Sequence, residues 1–156
     1  MDEEDDDVPW ASPEIQRGYE AALGRFLLAF NRLDNRLTEI VAFALSKLKR
    51  EDLIKPSTRK GFSVKLDTLD LLKTSGEGRK LADVPIELMR QINNERNVLA
   101  HGHFDQNPYD GRYEVVTIRV RKEYSVEKIG GLTEKADRAF DMLATVVAQY
   151  EFDDEP

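Results

Sequence analysis

Between residues 19 and 44 the chain places Tyr19, Leu23, Phe26, Phe30, Leu33, Leu37, Ile40 and Ala44 at alternating steps of four and three. That spacing puts every one of them on a single stripe of one helix, in a heptad-like seam. Ser12, Pro13 and Glu14 supply the start signal: an N-cap, a proline at the first helical position and an acid in the first turn. Gly18 and Gly24 weaken the helix locally without breaking it, the pattern runs to about Arg50, and Pro56 lies beyond its end. Such a helix is ~50 Å long at 1.5 Å per residue. That exceeds what a small domain needs, so part of it is expected to pack against another chain.

A second helix is predicted from Ser63 to about Thr74, with Val64, Leu66, Leu69 and Leu72 as its apolar set, followed by a loop at Ser75-Gly76-Glu77-Gly78. A third starts near Pro85 and runs to about His101, with Leu88, Ile92 and Leu99 on its apolar side and Gly102 as its C-terminal stop. The period then changes from helix to strand. His103-Phe104-Asp105 reads as a short strand and Asn107 to Gly111 as a turn cluster. From Arg112 to Arg121 the chain alternates, with Val116, Ile118 and Val120 on one face and Thr117, Arg119 and Arg121 on the other. This predicts a β-hairpin with one basic face. Gly130-Gly131 punctuates the chain again, and a last helix is expected from about Thr133 to Tyr150, with Ala136, Phe140, Leu143, Val147 and Tyr150 as its seam. The fold class is therefore mostly α: a helical bundle with a long first helix and a β-hairpin inserted before the last one.

At 156 residues the chain fits one domain. Residues 1–11 read as a disordered acidic tail, 12–150 as the helical domain and 151–156 as a second acidic tail. Without the ten acids of those two ends the net charge of −7 becomes +3, which keeps a phosphate-bearing partner in view. The acidic N-terminus is the opposite of a signal peptide, and no apolar run approaches the ~18 residues of a membrane span. The absence of cysteine removes disulfides, thiolate metal sites and a thiol nucleophile. A soluble, cytoplasmic protein with no membrane partner is expected.

The third helix carries the least ordinary face. Asn93, Arg96, Asn97 and His101 fall at i, i+3, i+4 and i+8, on one stripe. Two amides, a guanidinium and an imidazole are costly to bury unless their hydrogen bonds are met. The stripe is exposed, paired across an interface, or functional. Histidine titrates near neutral pH and serves as general acid or base. Arginine offers a planar charged fork suited to phosphate oxygens. Together they suit cleavage of a phosphodiester, and in RNA the 2′-hydroxyl supplies the nucleophile, so neither metal nor cofactor is required. In-line transphosphorylation works best with a separate acid and base, and two copies of the stripe facing each other in a two-fold homodimer would supply both. His101, His103 and Asp105 also form an H-x-H-x-D string that could bind zinc if it were one extended strand.

The segment Asn94-Glu95-Arg96-Asn97-Val98-Leu99-Ala100-His101-Gly102 resembles the RNxxAHG form of the HEPN superfamily motif. That motif is an arginine, usually followed by a polar residue, and a histidine after four to six intervening positions. The resemblance implies an up-and-down helical bundle, dimeric, with the two motifs facing each other. It implies Arg96 and His101 as catalytic residues and Asn97 as the polar motif position. The expected activity is metal-independent endoribonuclease cleavage leaving 2′,3′-cyclic phosphate ends, as in toxins of toxin–antitoxin or phage-defence systems, with RNA as substrate and an antitoxin protein as partner. Asn93, His103, Arg119 and Arg121 are the candidate substrate contacts. The alternative is a non-catalytic dimeric interaction or regulatory module. The contrast between an acidic N-terminus and a mildly basic core further suggests that Asp2 to Asp7 shield the Arg96 site.

Overall fold

The computed structural model describes residues 11–153, so the stretch from Asp2 to Asp7 lies outside the described residues. Helix α1 spans Pro13–Lys47, and Ser12 caps it by accepting from the Glu14 amide. A 3-10 turn (Glu51–Leu53) and the short α2 (Ile54–Thr58) lead back along α1 to α3 (Phe62–Leu72). The short α4 (Gly78–Leu81) connects to α5 (Ile86–His101). Strands β1 (His103–Gln106), β2 (Tyr113–Val116) and β3 (Arg121–Tyr124) form an antiparallel sheet in that order, and α6 (Val126–Phe152) closes the fold. The chain is thus a mostly helical bundle with a small sheet before its last helix. Among the described residues no helix is long and apolar enough to cross a membrane.

The seam of α1 is the centre of the core: Phe26, Leu33, Leu37, Ile40 and Ala44 are all fully buried. Helix α6 lies along it in parallel, as three contacts show. Arg32 pairs with Asp137 at 3.2 Å, Arg36 sits over the Phe140 ring at 4.8 Å, and Phe43 stacks on Tyr150 with centroids 5.7 Å apart. The sheet covers the N-terminal part of α1, where Tyr19 meets Tyr113 edge-on at 4.6 Å. The length of α1 therefore does not itself require a second chain. Its excess over the bundle is covered by the sheet and the start of α6.

Three expectations need correction. Helix α6 begins at Val126 rather than near Thr133 and passes straight through Gly130-Gly131. Ser125 caps it by accepting from the Lys128 amide at 3.0 Å, and Ile129 and Leu132 are buried, which outweighs roughly 1 kcal/mol of helix propensity lost per glycine. It also continues to Phe152 rather than ending at Tyr150, and Asp153 just beyond it pairs with Lys80 at 2.5 Å. On α3 the buried stripe is Phe62, Lys65, Leu66, Leu69 and Leu72, while Val64 is exposed.

The single hairpin is in fact two. Thr117 stops the second strand: its amide donates to the Val120 carbonyl, and its hydroxyl accepts from the Arg119 and Val120 amides. A threonine hydroxyl that bonds its own following backbone favours a turn over a strand. Ile118 is then fully exposed at the turn tip. The returning strand pairs so that Phe104, Val115 and Lys122 face one way, and Asp105, Glu114 and Glu123 the other. No basic face results. Arg121 is ion-paired with Glu114 at 2.5 Å, Arg119 sits in the turn, and the outer face carries a row of acids.

Gly102 ends α5 as expected, but not by adopting a left-handed conformation. Its backbone is extended, and a Cβ added there would lie 2.0 Å from Val115 Cγ1 and 2.7 Å from the Val98 carbonyl oxygen. The residue is small because β2 crosses directly over the helix end. Gly130 has open space around it. In urea unfolding, Gly102→Ala should cost about 1–3 kcal/mol through this overlap, whereas Gly130→Ala should gain about 0.5–1 kcal/mol from helix propensity alone. Equal effects at the two glycines would contradict the close crossing.

Candidate functional site

Helix α5 has two polar faces doing different jobs. On one, Glu95 accepts hydrogen bonds from the Tyr124 hydroxyl and the Lys122 ammonium, both on β3. The Lys128 ammonium stands 4.4 Å over the Tyr124 ring. Partial burial works to raise the Glu95 carboxyl, but the hydrogen bonds from Lys122 and Tyr124 and the charges of Lys122 and Lys128 prevail and hold it below the ordinary value. The Tyr124 phenol is pushed up, first by burial and then by Glu95 beside it. This cluster fixes the sheet to α5 immediately next to Arg96. The sequence reading missed it, because Lys122 and Tyr124 reach α5 only through the second hairpin.

On the opposite face Asn93, Arg96 and Asn97 line a pocket of about 320 Å³ with Phe30 and Asp34 of α1, and Gly61, Phe62 and Ser63 at the start of α3. The Arg96 guanidinium lies over the Phe30 ring, 5.3 Å from its centroid, and donates to Asn97 Oδ1 at 3.3 Å. Its Nε is buried with no hydrogen-bond partner among the described residues. Phe30 and Phe62 pack at 4.7 Å and form the apolar wall. Asn93 is only 8% exposed, and its amide makes no hydrogen bond within the described residues.

Asp34 and Lys65 form the floor. Lys65 is 4% exposed, stands 2.5 Å from Asp34 Oδ1 and donates to Thr38 Oγ1 at 2.9 Å. Thr38 in turn donates to the Asp34 carbonyl at 2.9 Å. The sequence held one signal of this floor. With the α3 stripe phased on Phe62, Lys65 falls at i+3, so a lysine stands on a buried face. Phasing the stripe on Val64 concealed it.

The remaining predicted site residues fall elsewhere. His101, in the last turn of α5, is exposed outside the pocket and has no hydrogen bond or ion pair among the described residues. His103 is exposed on the outer face of β1, opposite Val116. Neither Arg119 nor Arg121 lines the pocket. The extended H-x-H-x-D arrangement is not formed, because His101 is helical while His103 and Asp105 lie on β1. The structure therefore joins Asn93, Arg96 and Asn97 with Phe30, Asp34 and Ser63, and leaves His101 displayed beside them. No protein-family model matches the chain, and no curated protein or solved structure matches it either.

Two measurements check this electrostatic framework. Removing one partner of a buried pair leaves the other charge uncompensated. Asp34→Asn should cost about 3 kcal/mol in urea unfolding, because it leaves the ammonium of the buried Lys65 uncompensated, while Asp34→Asn/Lys65→Met together should recover most of that loss; simple additivity would show that the pair is not coupled. Glu95, held below its unfolded value of 4.5, contributes stability that is full above that value and is lost as pH falls through the folded one. Thermal melting followed below pH 5 should show a loss in the wild type that Glu95→Gln lacks, and parallel profiles would rule out the role.

Proposed function

We propose that this protein is a metal-independent endoribonuclease of HEPN type that acts as a homodimer. The observation that supports this reading most is the display along α5. A guanidinium is held over Phe30 with only one of its nitrogens hydrogen-bonded, and five residues further on, in the last turn of the helix, stands an imidazole with no partner among the described residues. Electrostatic stabilisation is strongest where donors are held before the charge develops. Arg96 meets that condition for the oxygens of a phosphodiester, and Asn97 holds its fork.

In the reaction, His101 of one protomer takes the proton of the RNA 2′-hydroxyl. The freed oxygen attacks phosphorus, the bond from phosphorus to the 5′ oxygen breaks, and His101 of the partner subunit protonates that leaving oxygen. The products are a 2′,3′-cyclic phosphate and a 5′-hydroxyl. Two copies are needed because one chain displays one such histidine. Of the sheet's candidate contacts, Arg119 remains to attract phosphate, and His103 stands near the strand start, while Arg121 is engaged by Glu114. A cytoplasmic location, an antitoxin partner and a role as a toxin belong to the same reading.

A non-catalytic dimeric interaction module is the second reading. It rests on the placement of His101 outside the pocket lined by Arg96, so that one protomer does not unite the two. RNA cleavage with chelator present separates the readings. Wild type should leave 2′,3′-cyclic phosphate ends, and His101→Ala and Arg96→Ala should each lower the rate by at least about 10²-fold while keeping fold and dimer. No cleavage of structured or unstructured RNA by an intact dimer would move the assignment to the interaction module.

A further inference from the structure

The pocket beside Arg96 is built for more than a phosphate. Asn93 is more than nine-tenths buried, yet its amide has no partner among the described residues and borders the opening. The amide atoms themselves reach the opening, where a ligand can take the place of water. Asp34 lines the same opening. Lys65 holds the buried Oδ1, which orients the carboxylate and leaves Oδ2 for a ligand. Ser63 adds an exposed hydroxyl at the rim, and Phe30 and Phe62 supply an apolar wall. An apolar wall with a few convergent polar groups, at a volume of about 320 Å³, has the form of a small-ligand cleft.

The chemistry of the polar groups selects among bases. Asp34 can only accept. Guanine presents two adjacent donors, N1–H and the N2 amino group, which Asp34 Oδ2 and the Ser63 hydroxyl can take. Its neighbouring O6 accepts, and the Asn93 amide can donate to it. Adenine and cytosine each place an acceptor ring nitrogen beside their amino group, which would face the carboxylate. Uracil flanks its one donor with two carbonyl oxygens, which the carboxylate would repel. A site that hydrogen-bonds one partner rejects analogues by leaving its own buried groups unpaired.

We propose that the pocket between α1, α3 and α5 receives one guanine base of an RNA strand, read by Asp34, Ser63 and Asn93, next to the phosphate held by Arg96. The inference rests on the ribonuclease reading for its source of the base, but binding can be measured without cleavage. Base recognition fixes which phosphate lies against Arg96, so it would set the cleavage position.

Titration calorimetry of the dimeric His101→Ala protein with each of the four ribonucleoside 5′-monophosphates tests the pocket directly. Guanosine monophosphate should bind at least about tenfold tighter than the other three, the discrimination expected of one well-made base contact. Asn93→Leu should lose that preference, and so should Asp34→Asn/Lys65→Met, which removes both charges of the floor. Unfolding curves establish that each variant is folded before it is read. A trinucleotide with 2′-O-methyl sugars and a central guanine should bind at least as tightly as the mononucleotide. If it is excluded while guanosine monophosphate binds, the pocket takes a free nucleotide and the inference is overturned. Equal binding of all four nucleotides, or none at about millimolar concentration, overturns it as well. Cleavage without base preference would leave the ribonuclease reading standing and remove this one, whereas guanylate binding without cleavage by wild type would do the reverse.

Discussion

One apolar stripe running the length of a 35-residue helix has to be removed from water along its whole extent, and a chain of this size has few elements long enough to do it. Helix α6 is the one that can, and the demand on it explains its irregularities. It starts seven residues before the period in its sequence becomes obvious, accepts two interior glycines and buries Ile129 and Leu132 in return. The sheet completes the cover at the N-terminal part of α1, through Tyr113 against Tyr19. Helices α3 and α5 occupy the flank left open by α6, with Phe62 on Phe30 and Arg96 over the same ring. Phe30 is thus part of the seam and part of the pocket wall, so the covering of α1 and the building of the site are one packing problem.

Helix α5 is held from both sides by charge. Glu95 ties it to β3 through Lys122 and Tyr124, and Arg90 ties it to α3 through Asp67 at 2.8 Å. Exposed pairs contribute little individually, but Glu95 is partly buried and bears several donors, which makes it the firmer tie. Between these anchors the stripe from Asn93 to His101 has little freedom to turn. A guanidinium kept in place over an aromatic ring loses less on meeting a phosphate than one that must be ordered at that moment. The Asp34–Lys65 pair does for the floor what Glu95 does for the back of the helix: it fixes the direction of a side chain.

The helices were legible in the sequence because a period of 3.6 with one apolar stripe leaves few alternatives, and Ser12-Pro13 marks its start unambiguously. The grouping of Asn93, Arg96 and Asn97 was legible for the same reason, while His101 falls outside the pocket they line. What the period cannot carry is phase against a neighbour or contact between distant segments. Val64 and Phe62 lie two positions apart on α3, and only the covering of Phe30 decides which one is buried. The alternation from Val116 to Val120 fits a strand as a pattern, yet the Thr117 hydroxyl bonds its own backbone and turns the chain. Gly102 reads as a helix stop by type, but the crossing of β2 over the helix end is what demands a glycine there. The sequence alone therefore determined the long helices, their polar faces and the residues available for chemistry, since these depend on local spacing. The tertiary structure decided which of those residues meet: Asp34 and Lys65 join Asn93 and Arg96 around one pocket, while Arg121 is spent on Glu114, because such meetings depend on packing between segments far apart in the chain.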